Sequence, residues 1–129
     1  MTVMPRDHEW TVDDLARAPD DGLRYELVDG VLLVSAAPST VHQIVLVELL
    51  ALLREACPPD ARTLVAPTDY QPTRRRSLQP DVLVAWRRDV GAALQDGAYV
   101  DAGYAEGRQQ LHIDRPFGVT VTPQDLLDP

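Results

Sequence analysis

The sequence predicts an α+β fold: a mixed β-sheet, one long core helix over about 40–57, and an N-terminal short helix followed by a hairpin. Three observations carry this expectation. Arg24-Tyr25-Glu26-Leu27-Val28 and Val31-Leu32-Leu33-Val34-Ser35 are β-rich runs separated only by Asp29-Gly30, a pair that favours a type I′ turn. Between Ser39 and Pro58-Pro59 the apolar residues fall on one arc at helical spacing. Asp81-Val82-Leu83-Val84-Ala85-Trp86 follows Pro80 as an apolar strand.

Taken from the N-terminus, Trp10 to Ala16 reads as the short helix. Thr11 is a good N-cap, and Asp13 and Asp14 favour the positive end of the helix dipole. Pro19-Asp20-Asp21-Gly22 ends it. After the hairpin, Ser39 or Thr40 caps the long helix. Its apolar arc holds Val41, Val45, Leu46, Leu49, Leu50, Leu52 and Leu53, with His42 inside it. Arg62 to Ala66 is a strand and 68–71 a second candidate, while Arg74-Arg75-Arg76 is assigned to a loop. A weak helical signal covers Val90 to Leu94. Ala98 to Tyr104 and Gln109 to Ile113 form an expected hairpin turning at Glu106-Gly107. Pro116 to Val121 is a last strand, and Thr122 caps a terminal turn through Leu127.

The chain has 129 residues, 45% of them hydrophobic, which suits a single domain over 1–129. Its net charge is −8. A globally acidic protein is repelled by nucleic acid unless its basic groups are clustered. All 12 basic residues are arginine and none is lysine. Arginine stays protonated at any working pH, so it neither takes a proton nor supplies a neutral amine. One cysteine, Cys57, excludes an intramolecular disulfide and a zinc ribbon. The first residues are charged and polar, unlike a signal peptide, and no apolar run approaches a membrane span. A cytoplasmic protein with no membrane partner is expected.

Few residues have the chemistry for a site. Gln79-Pro80-Asp81 puts a carboxylate at the start of a strand, where metal-dependent nucleases hold a hard cation such as magnesium. The same pattern equally describes a strand-entry turn in which Asp81 caps a backbone amide. Glu26 lies on the strand face opposite Tyr25 and Leu27. It is either a second metal-directed carboxylate or catalytic orienter, or an ordinary solvent-facing strand residue. His42, on the apolar arc, is a catalytic orienter or a hydrogen-bonded core histidine. Residues 70–90 carry Arg74, Arg75, Arg76, Arg87 and Arg88 against Asp81 and Asp89, a local charge of +3 in a chain that is otherwise −11. Those five arginines either contact phosphates or form a solvated surface.

The ordered set of these segments resembles the Uma-type family of restriction endonuclease-like proteins. The resemblance runs through Trp10 to Leu15, Tyr25 to Gly30, Pro38-Ser39 with His42-Gln43, Gln79 to Val84, Asp96 to Val100, and Arg115-Pro116-Phe117 with Val119 to Pro123. No single motif is specific, but the order is. The resemblance implies a reduced core of the PD-(D/E)xK nuclease fold, with DNA as partner and Mg2+ as the metal of an endonuclease. It implies that Asp81 is the metal carboxylate and that Glu26 and His42 lie near the site as catalytic residues.

It also implies a strand bearing Glu-x-Lys after a segment like Arg88-Asp89-Val90-Gly91, and this sequence has none. An internal deletion near 90–97 is therefore expected. Glu106-Gly107-Arg108 has the form Glu-x-Arg but reads as a hairpin turn. The absent Glu-x-Lys and the absence of lysine argue against activity. A non-catalytic nucleic-acid-binding or interaction module is the alternative, and a non-functional remnant is the other. Loss of a covering segment also leads to an expected self-association as a homo-oligomer.

Overall fold

In the computed structural model, residues 2–3, 7–90 and 104–127 are described. They fall into two compact units. One holds the described residues of Met1–Ala37 and Ala66–Asp81 together with Val90. The other holds those of Pro38–Val65, Val82–Asp89 and Ala98–Pro129.

The first unit is built on a five-stranded sheet. Its strands are β1 (Thr2–Val3), β2 (Arg24–Val28), β3 (Val31–Ser35), β5 (Tyr70–Thr73) and β6 (Arg76–Leu78), in the order β1-β3-β2-β6-β5. The β2–β3 hairpin forms as its turn residues dictate. Asp29 and Gly30 both take positive φ, 50° and 83°, and Val28 pairs with Val31 across a two-residue loop. A Cβ at Gly30 would stand 3.1 Å from Glu9 Cγ and 3.2 Å from Arg75 Nη2, so those side chains would have to shift slightly, and the positive φ itself favours glycine. Leu27 pairs with Leu32 on one side and Ser77 on the other. These three are the buried centre of the sheet, at 0%, 5% and 2% exposure. Burial of one such leucine is worth roughly 1.5–3 kcal/mol.

A short helix, α1 (Val12–Leu15), contacts β2. Thr11 stands at its N-cap as expected. The Asp14 carboxylate accepts from the Thr11 backbone N–H at 2.9 Å and from its hydroxyl at 3.0 Å. These bonds hold the Asp14 carboxyl below the usual range.

In the second unit, α2 (Thr40–Ala56) contacts β4 (Ala61–Val65), β9 (Val119–Val121) and a final 3-10 turn, Pro123–Leu126. Ser39 caps α2 by accepting from the His42 N–H at 3.2 Å, and Cys57-Pro58-Pro59 stops it. β4 pairs with β7 (Val82–Trp86), and β8 (Leu111–Ile113) with β9. Ala61, Val119 and Leu126 are its buried residues.

The α+β class and most elements agree with the sequence reading, and three expectations are corrected. Every strand pairing among the described residues is antiparallel, where a mixed sheet was expected. Arg76 is not in a loop. It opens β6, and only Arg74 and Arg75 form the turn. Leu111–Ile113 pairs with Val119–Val121; the expected hairpin arm 98–104 lies outside the described residues apart from Tyr104, which is 80% exposed.

The third correction concerns α2, in which no residue is fully buried. Val45, Leu46, Leu49, Leu50, Leu52 and Leu53 are half-buried, whereas Val41 is 59% exposed. Apart from Val90, the weak helix to Leu94 and the deletion near 90–97 lie outside the described residues. Among the described residues no helix is long and apolar enough to cross a membrane.

Candidate functional site

The first unit brings Glu26 and Asp81 to the same three-residue corner, Gln79-Pro80-Asp81. Glu26 sits in the middle of β2, on the face that also carries Arg24, since alternate residues share a face. Glu26 Oε1 accepts from the Gln79 backbone N–H at 2.8 Å. Arg24 Nη2 donates to Asp81 Oδ1 at 2.9 Å. Two alternate side chains of one strand therefore grip the two ends of the corner. Gln79 adds a third tie, donating from Nε2 to Asp69 Oδ1 at 2.9 Å. The Asp81 carbonyl accepts from the Ala66 N–H at 3.2 Å.

This arrangement is sequence-local only in part. Proline at 80 removes a donor and restricts Gln79 to extended backbone. The Gln79 N–H then meets the Glu26 carboxylate. Arg24 is the residue that sequence reasoning missed. Its signal was the Arg-x-Glu spacing on one strand face, but its partner is 57 residues away.

The fit to Mg2+ can be tested on these atoms. A hard cation of that size takes about six oxygen ligands and keeps several waters, so it is held by carboxylates free to turn towards it. Here the Asp81 carboxylate faces a guanidinium and the Glu26 carboxylate faces an amide donor. Among the described residues no group of three or more His, Cys, Asp or Glu side chains is placed to hold a metal ion. The two carboxylates are thus each engaged by a donor group of the chain.

A cleft of about 460 Å³ opens in the same unit, lined by Leu15, Leu23, Tyr25, Asp69, Ser77 and Gln79 among others. Asp81 and Glu26 do not line it. At its edge the Tyr25 hydroxyl donates to Asp21 Oδ2 at 2.7 Å. That bond raises the Tyr25 phenol and, with the Leu23 N–H, lowers the Asp21 carboxyl.

The other sequence-predicted residues are placed as follows. His42 belongs to the second unit and is half-buried on α2. Arg74, Arg75 and Arg76 belong to the first unit, and Arg87 and Arg88 to the second. Arg74 pairs with Asp13, Arg75 with Glu9 at 2.5 Å, and Arg76 with Asp29 at 2.7 Å. Arg87 Nε donates to the Pro59 carbonyl at 2.5 Å. Arg88 lies 5.9 Å from the centre of the Trp86 ring and 3.7 Å from Asp89. Glu106-Gly107-Arg108 lies in a turn, with the Gln109 N–H donating to the Glu106 carbonyl at 3.0 Å.

A search of curated proteins found no match. The model of one protein family matches residues 12–106, which include α1, the hairpin, the Gln79-Pro80-Asp81 corner and α2. That family, Uma2, carries the description "Putative restriction endonuclease". On a match over this much of its length, the chain belongs to the Uma2 family.

Proposed function

We propose that this chain is a restriction endonuclease-like domain that does not hydrolyse DNA and retains phosphate contact through its arginines. The observation that carries the reading is the Arg24–Asp81 pair. A guanidinium stands where the Pro-Asp carboxylate would hold a cation, and it brings a fixed positive charge of its own. The absence of lysine from the whole sequence removes the proton-transfer partner that such a site needs. The absence of Glu-x-Lys after Val90, attributed to an internal deletion near 90–97, supports the same reading. Asp81 and Glu26 are then structural ties rather than metal ligands. Family membership supports DNA as the partner, and a cytoplasmic location follows from that partner.

The test is a Mn2+ titration of the purified chain followed by water-proton relaxation. No Asp81-dependent site is expected. Bound Mn2+ that is lost in Asp81→Ala would contradict the reading.

Self-association is a second reading, favoured by α2. Val41, Ile44 and Val47 are 59%, 47% and 59% exposed along that helix. A contiguous exposed apolar strip is a contact surface for another chain.

A further inference from the structure

We infer that Glu9, Asp13 and Asp29 mask a phosphate-binding surface on the β5–β6 turn, so that Arg74, Arg75 and Arg76 reach a nucleic-acid backbone only when those carboxylates give way. The inference rests on the reading that these arginines contact phosphate, and adds how that contact is controlled. Each of the three consecutive guanidiniums faces its own carboxylate: Arg74 with Asp13, Arg75 with Glu9 and Arg76 with Asp29. Arg75 also donates to the Asp29 carbonyl at 3.1 Å. A carboxylate and a phosphate each offer a guanidinium two anionic oxygens for paired, charge-assisted hydrogen bonds. The N-terminal segment thus occupies the positions a nucleic-acid backbone would take.

Backbone bonds hold that segment in place. Trp10 N–H donates to the Gly30 carbonyl at 3.0 Å, Gly30 N–H to the Arg75 carbonyl at 2.9 Å, and Val12 N–H to the Arg74 carbonyl at 2.9 Å. The missing side chain at Gly30 leaves room for Glu9 and Arg75 to meet above the turn. The side-chain pairs themselves are exposed, with Arg74 71% and Glu9 64% accessible. Exposed ion pairs are weak and screened by salt, so a polyanion can displace them without breaking the backbone bonds beneath. A chain of net charge −8 then avoids casual capture by nucleic acid while keeping a basic turn in reserve.

The experiment is fluorescence anisotropy with a short labelled DNA duplex across a salt series. The samples are the full chain, Glu9→Gln with Asp13→Asn, that double variant with Arg74, Arg75 and Arg76 all changed to alanine, and a charge-matched control, Glu48→Gln with Glu55→Gln on α2. Freeing two guanidiniums for phosphate should steepen the salt slope by about two units and tighten low-salt binding roughly tenfold. The arginine replacements should abolish that gain, and the control should not reproduce it. Glu9 lies in no helix or strand, so Glu9→Gln alone provides a variant whose fold is not at risk, with part of the gain.

Equal gain in the α2 control, or gain that survives loss of the arginines, overturns masking in favour of a general charge effect. If the parent chain binds through its arginines and the neutralised variants bind no better, masking fails while phosphate contact stands. If no variant binds at any salt concentration, both fail.

Discussion

The Arg24 guanidinium donates to Asp81 Oδ1 at 2.9 Å, while two residues along the same strand Glu26 accepts from the Gln79 N–H at 2.8 Å. The two contacts fix the Gln79-Pro80-Asp81 corner from one strand face.

The first consequence is a stability coupling between Arg24 and Asp81. The side chains are 24% and 40% exposed, so the pair is worth about 0.5–1 kcal/mol rather than the larger figure of a buried pair. Arg24→Ala and Asp81→Ala should each destabilise the chain, and the double variant should cost less than the sum. Urea denaturation of the four proteins measures the coupling. Strict additivity would show that the pair contributes nothing.

Glu26 separates a structural from a chemical role by its conservative variant. Glu26→Gln keeps an oxygen for the Gln79 N–H and should be nearly as stable as the parent. Glu26→Ala leaves that part-buried donor unpaired and should cost about 1–3 kcal/mol. Chemical denaturation reads both. Equal stability of the alanine variant and the parent would remove Glu26 from the account of the corner.

The Tyr25–Asp21 bond predicts a pH signature with a defined sign. The Tyr25 phenol is raised by its bond to Asp21. Its contribution is therefore present below the ordinary tyrosine value and lost as pH rises through the raised one. The Asp21 carboxyl is lowered. Its contribution is present above the ordinary carboxylate value and lost as pH falls through the lowered one. In a tyrosinate absorbance titration, Asp21→Asn should bring one of the 4 tyrosines down in pH. An unchanged titration would contradict the bond.

The exposed strip on α2 predicts concentration-dependent association. Light scattering across a dilution series should show species larger than a monomer, and Val47→Glu should reduce them. Val47 is 59% exposed, so the substitution should leave the fold in place. A sharply unfolding monomer at every concentration would show that α2 needs no partner.

Local chemistry made much of this structure readable. Asp29-Gly30 announces its turn because few residues accept two successive positive φ values. Ser39 and Pro58-Pro59 bound α2 by capping and by removal of donors. The unread features depend on partners distant in sequence. Three arginines in a row look like a solvated loop, yet Arg76 begins a strand, pairing with Thr73 across the Arg74-Arg75 turn while the next residue, Ser77, pairs with the distant Leu27. The apolar arc of α2 looks like a core face, but Val41 on that arc is 59% exposed and no residue of the helix is fully buried. Pro-Asp before a strand is compatible with a metal ligand and with a structural corner. Arg24, which pairs with Asp81 from β2, is invisible in that local pattern because it lies 57 residues away.

The central claim is that Asp81 holds the fold rather than a cation. Its most direct test is plasmid nicking by the purified chain in Mg2+ and in Mn2+, with Asp81→Ala alongside. The account predicts no nicking above background in either metal, and no difference between the two proteins. Metal-dependent nicking by the parent chain that disappears in Asp81→Ala would contradict it.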